Sequence, residues 1–248
     1  MRTANPALNE KAFDFPARQG ETQAYSEQMT IQGTVNKSFL LLAGVLLTAS
    51  FTWNQFFIDP AGIFIYLIVG VIGGLIFALA TIFKKPWSPI TAPLYALFEG
   101  LMLGGISGYF ESQFPGIVIQ AVALTFGTLL ALLMVYSSRL IQATENFKLG
   151  VVAATGGIAL IYLLNFILGF FGVNIPFIHE SGLFGILFSL FVVVVAALNL
   201  VLDFDFIEQG AEQGAPKFME WYAAFGLMVT LIWLYLEILR LLSKLRSR

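Results

Sequence analysis

Ala196-Ala-Leu-Asn-Leu-Val-Leu-Asp-Phe-Asp-Phe-Ile207 and, after a polar link, Leu231-Ile-Trp-Leu-Tyr-Leu-Glu-Ile-Leu-Arg-Leu-Leu242 decide the reading of this chain. Both stretches place acids in runs that are otherwise apolar. Asp203 closes 22 uncharged residues, Ser181 to Leu202, and Glu237 sits well inside an apolar run beginning at Trp221. An ionisable group at bilayer depth costs roughly 2.5 to 3.5 kcal/mol on insertion scales, so such groups face a protein interior or a wet cavity and mark ion or proton pathways. The composition agrees with a membrane setting: 58% hydrophobic and 11% charged residues over 248 positions, with a mean hydropathy of +0.84. A soluble domain carries about 25% charged residues. No basic run points to nucleic acid, which is excluded as a partner. The absence of Cys removes disulfides, thiolate nucleophiles and thiolate metal sites.

Outward from these stretches, seven apolar segments can each supply the roughly 20 residues that cross about 30 Å of hydrocarbon. They are Ser38–Phe57, Ala61–Phe83, Ala92–Phe110, Pro115–Ser137, Leu149–Val173, Gly182–Leu202 and Trp221–Leu242. Their length argues for a helical bundle and against a barrel of short alternating strands. The expected class is an all-α integral membrane protein, with a seven-helix domain over 38–242, a soluble N-terminal arm over 1–37 and a basic tail over 243–248. The arm lacks the apolar core of a cleaved secretory signal.

Lys37, Lys84, Lys85, Arg139 and Lys148 fall at the arm and in the second-to-third and fourth-to-fifth links, whereas the intervening links carry none. By the positive-inside rule the arm is cytoplasmic. The same rule conflicts with itself at the far end. Seven crossings send the C-terminus outside, yet Arg240, Lys244, Arg246 and Arg248 make it the most basic part of the chain. A last segment that dips in and returns, or one that crosses while enclosed by the other six, reconciles the two, and the enclosed crossing helix is the expectation.

Asn199 and Asp203 are four residues apart and share a helical face, from which Asp205 points away. Arg240 follows Glu237 at a spacing that allows contact. Two readings stay open. In the bland one, Asp203 and Asp205 cap the sixth helix and Glu237 is the intrahelical partner of Arg240. In the sharper one, Asp203 or Asp205, with the spacing favouring Asp203, meets Glu237 across adjacent antiparallel helices, and two carboxyls within hydrogen-bond reach share a proton and titrate as a pair. Such a pair is a pH sensor, because losing the proton sets two helices repelling one another and biases a bistable packing. Glu99, inside the third segment, either lines a cation path or bonds to a neighbouring helix. Gly100-x-x-x-Gly104-x-x-x-Gly108 after it is read as a close-packing face. Gly105-Ile-Ser107-Gly108 is similar to the box of rhomboid proteases, but that chemistry needs a His within reach of the Ser, and His179 falls in a predicted outer loop. No enzyme is expected.

Phe98-Glu99-Gly100-Leu-Met-Leu-Gly104, Ala-Leu-Asn199-Leu-Val-Leu-Asp203 and Leu-Tyr235-Leu-Glu237-Ile-Leu-Arg240-Leu-Leu242, set in seven segments, together resemble the Bax inhibitor-1 family in its bacterial, YccA-like branch. The resemblance covers roughly Lys37 to Leu242. It implies a seven-helix bundle wrapping its last helix, in the bacterial cytoplasmic (inner) membrane, and a pH-sensitive calcium leak. Its sensor would be a carboxyl pair carried by motif to Asp203 and Glu237. Calcium is then the permeant ion, held transiently by Asp203 and Glu237, with Glu99, Asp205, Asn199 and Arg240 as candidates for lining or supporting its path, and no cofactor is implied. It also implies a rival role, modulation of a membrane-bound protease through the N-terminal arm. Two positions depart from the pattern. Glu237 stands where an Asp is usual, and no Arg lies in the second segment to latch the pair, so that the latch either falls to Lys84, Lys85 or Arg240 or is absent.

Overall fold

The computed structural model describes residues 28–172 and 182–247. The expected arm before Gln28 and His179 lie outside the described residues. Among those residues the chain forms α1 (Ile31–Ile58), α2 (Ile63–Phe83), α3 (Ser88–Gln113), α4 (Ile117–Ser137), α5 (Glu145–Gly169), α6 (Leu183–Glu212) and α7 (Met219–Arg246), with a 3-10 turn at Lys85–Trp87. No strand accompanies them among the described residues; one isolated antiparallel bridge joins Gln28 to Pro216. All seven helices are long and apolar enough to cross a membrane. The two shortest, α2 and α4 at 21 residues each, rise about 31 Å at 1.5 Å per residue.

Local chemistry sets the ends. Thr30 caps α1 by accepting a hydrogen bond from the Gly33 amide at 2.9 Å, and Thr144 caps α5 through the Phe147 amide at 3.3 Å, each satisfying an amide that has no intrahelical partner. Asp59 ends α1 and accepts from the Gly62 amide at 3.1 Å to turn the chain into α2. Gly116, with φ of 80°, occupies the left-handed region before α4, where a side chain would be strained. Because Thr30 supplies the cap, Ile31–Lys37 of the expected soluble arm are already helical. Ser243–Arg246 of the expected tail likewise belong to α7.

The chain forms two compact units. Of the described residues, one contains 28–113 and Asp205–Val229; the other contains 114–172, 182–204 and 230–247. In the first unit α3 packs against both α1 and α2. A Cβ on Gly100 would stand 2.4 Å from the Val45 carbonyl oxygen, and one on Gly104 would stand 2.1 Å from that of Ala49. These glycines therefore let the backbones of α1 and α3 touch, the close-packing role read from their spacing. Toward α2 the roles reverse, with Gly70 of α2 lying against the Phe98 carbonyl and Met102 amide of α3. A buried hydroxyl pair, Thr81 to Thr91 at 2.7 Å, also joins α2 to α3.

In the second unit Ile158, Val192 and Val195 form a buried cluster that Ala154, Tyr162, Phe188 and Trp233 close over. Asn199 donates to the Thr155 hydroxyl at 2.9 Å, tying α6 to α5. The last helix buries 56% of its apolar window, against 11% for α5.

Candidate functional site

The second unit holds the two acids around which the sequence was read. Asp203 of α6 is fully buried, and Glu237 of α7 is 2% exposed. Charges so placed need partners, because an isolated buried carboxylate costs far more than its contacts return. For Glu237 the partners are plain. Arg240 Nη1 donates to its Oε1 at 2.9 Å and to its Oε2 at 3.2 Å, one turn along the helix. The Tyr162 hydroxyl of α5 donates to Oε1 at 3.0 Å and accepts from Arg240 at 2.8 Å. The guanidinium lies 5.2 Å from the Tyr162 ring centroid, within cation–π range. Carboxylate, guanidinium and phenol thus form a closed triangle. Its Glu corner is buried, while Arg240, 39% exposed, leads outward.

Contacts at the far end of α7 set its level against α6. Lys244, 5% exposed, donates to the Gly185 carbonyl at 3.0 Å and to the Ser189 hydroxyl at 2.9 Å, so the two helices run antiparallel here. Seven residues back along α7, Glu237 comes level with Val192–Ala196 of α6. Asp203 lies a further seven to eleven residues along, about 10 to 16 Å at 1.5 Å per residue. The structure therefore captures Glu237 on Arg240 and Tyr162, with Asp203 buried deeper along the hairpin.

The other residues singled out from sequence fall apart from this triangle. Asn199, one turn before Asp203, bonds to Thr155 and to its own helix at the Val195 carbonyl, 2.8 Å away. Asp205 accepts from Gln209 at 2.5 Å and belongs to the first unit, so the helix runs past both acids to Glu212 instead of ending on them. Glu99, also in the first unit, hydrogen-bonds with Tyr95 one turn earlier. Its carboxylate lies against Gly74 of α2, where a Cβ would come within 2.9 Å of Oε1. Its Oε2 is buried and has no hydrogen-bond partner among the described residues. Ser107, of the protease-like box, is 6% exposed in α3. Among the described residues no three His, Cys, Asp or Glu side chains gather as a metal site.

Seven spanning helices, an acid-then-Gly third helix and buried acids in the last two thus carry the motifs quoted from the sequence. A family described as Bax inhibitor 1 like matches residues 5–247 of the chain. The chain belongs to that family. No curated protein matches it, and no solved structure does. For this member of the Bax inhibitor 1 like family, sequence reasoning reached both buried acids and the Glu237–Arg240 spacing. It missed Tyr162, whose only signal is a hydroxyl among the apolar residues of the fifth segment. It also missed Glu220, which reads as one of several charges in a polar link and is in fact fully buried.

Proposed function

We propose that the protein is a pH-sensitive, calcium-permeable leak channel gated by Asp203 and Glu237, and that it lies in a bacterial cytoplasmic membrane with its N-terminus inside. The observation that carries this reading is the burial of two acids, fully for Asp203 and to 2% exposure for Glu237, in helices long enough to span a bilayer. Family membership supports it. Carboxylate oxygens suit a hard divalent cation, and Glu99, with a buried oxygen open to a further ligand, is a third candidate on the path. The Glu237–Arg240–Tyr162 triangle gives the gate its closed state. A carboxylate already neutralised by its own guanidinium has little to offer calcium, so Arg240 takes the latch task left open by the uncharged second helix. For Glu237 to share a proton with Asp203, its carboxylate must part from Arg240 and Tyr162 and the two helices must shift against each other, a two-state element that protonation biases.

The sidedness rests on the count of Lys and Arg in the short links. Lys244 is bonded inside the protein, and Arg246 donates to the Phe114 and Pro115 carbonyls at 3.3 and 2.8 Å. Buried on a carbonyl and a hydroxyl oxygen, Lys244 weighs less against an outer C-terminus than its place in the basic tail implies.

Calcium entry into dye-loaded liposomes from pH 5 to 8, compared for wild type and Glu237→Gln, tests the proposal. The wild type should pass calcium in a pH-dependent way and the variant should lose that dependence. Flux no greater than that of empty liposomes at every pH would sink the channel reading and turn attention to the rival one, recognition of a membrane protease by the arm.

A further inference from the structure

Glu220, the second residue of α7, is fully buried, yet it lies where the chain leaves a polar link. Its carboxylate gathers four donors. The Thr30 amide and the Thr30 hydroxyl each donate to Oε1 at 2.9 Å, Lys217 lies 2.8 Å from Oε1, and Lys37 donates to Oε2. The space is cut to fit, since a Cβ on Gly33 would stand 2.1 Å from Glu220 Oε1. Around this carboxylate the N-terminal segment lies along the link before α7. The Met29 amide donates to the Ala215 carbonyl at 2.6 Å, Gln28 forms its antiparallel bridge with Pro216, and Lys37 sits 5.6 Å from the Trp221 ring centroid. All of these residues belong to the first unit.

We infer that Gln28–Lys37 is a strap closed over the link before α7, that the Glu220 carboxylate is its clasp, and that opening the clasp frees the start of the last helix to move. One buried carboxylate serves two lysines, an amide and a hydroxyl, and charge-assisted bonds of this kind are about twice as strong as neutral ones. Without the carboxylate, Lys37 and Lys217 face each other with no counter-charge, and the Thr30 amide loses its acceptor. The hold is therefore concentrated in one residue. A partner that draws the N-terminal segment away, or a negative charge placed at Thr30, releases the link without touching the hydrophobic core.

Hydrogen–deuterium exchange of the full chain in lipid nanodiscs tests this, and its readout is independent of calcium flux, so failure of the leak reading leaves it standing. Thr30→Asp is the main variant. Asp still caps α1 but sets a second carboxylate against Glu220. Exchange in Gln28–Lys37 and in the Gln213–Phe218 link should quicken at least tenfold in Thr30→Asp and in Glu220→Gln. The chain has no native Cys, and paired bridge residues lie at the Cα separation a disulfide requires. A Gln28→Cys, Pro216→Cys disulfide added to Thr30→Asp should therefore return exchange in the link to the wild-type rate. Wild-type exchange in Thr30→Asp protein that keeps its melting temperature would overturn the inference. So would fast exchange in the link with the disulfide formed.

Discussion

Removing the Tyr162 hydroxyl takes one donor from a carboxylate that is almost fully buried and one acceptor from Arg240. Hydrogen bonds to charged groups contribute about 1.5 to 3 kcal/mol, so Tyr162→Phe should destabilise the protein by about 1.5 to 2 kcal/mol in detergent unfolding. Because the three side chains form one network, the loss should be far smaller on a Glu237→Gln background, and a double-mutant cycle reads that coupling. Additive losses would show that the triangle does not act as a unit. At this scale the sequence was readable wherever a charge stood in an apolar run. Asp203 and Glu237 announce themselves, and Arg240 follows from the helical period. Tyr162, 75 positions from Glu237, carries no local sign of its task. Glu220 was masked in the opposite way, since a Glu three residues from a Lys in a polar link has the pattern of a solvated surface pair.

The contrast between two glycines tests how the helices are held together. A methyl group at Gly104 would press on the Ala49 carbonyl and the Thr52 hydroxyl, each at 2.1 Å. Backbone has little room to yield, so Gly104→Ala should cost about 1 to 3 kcal/mol, the range of overpacked cores. Gly127 of α4 has nothing within 4 Å of an added Cβ, and Gly127→Ala should leave the unfolding midpoint unchanged. Equal effects would mean that the spacing of the α3 glycines is incidental to its packing on α1. The positions of all seven helices were legible because hydrophobic length is a strong signal at the scale of a bilayer. Their ends were not. The start of α1 is set by the cap at Thr30, and α6 continues past Asp203 because Asp205 and Gln209 bond along the helix instead of terminating it. Both are side-chain events to which hydropathy is blind.

For the molecule as a whole, the proposed orientation can be read with single cysteines in a chain that has none. Leu140→Cys, at an exposed position in the fourth-to-fifth link, should react with a membrane-impermeant maleimide only after cells are opened. Gln113→Cys, exposed at the end of α3, should react in intact cells. The reverse pattern would invert the topology. The charge count that predicts this was legible in the loops but contradictory at the tail. Part of the contradiction comes from counting Lys244 as solvated, when it is buried on the Gly185 carbonyl and the Ser189 hydroxyl.

The clasp at Glu220 also sets a schedule for biosynthesis. Its partners Thr30 and Lys37 lie 190 and 183 positions earlier in the chain. At roughly 5 to 20 residues per second on the ribosome, they wait about 10 to 40 seconds for the residue that receives them. During that interval α1, α2 and α3 can already be inserted and packed, while the amide and lysine that will meet Glu220 remain available to whatever attends the emerging chain. A nascent protein stalled before its last helix would display that vacancy, and a finished one would not.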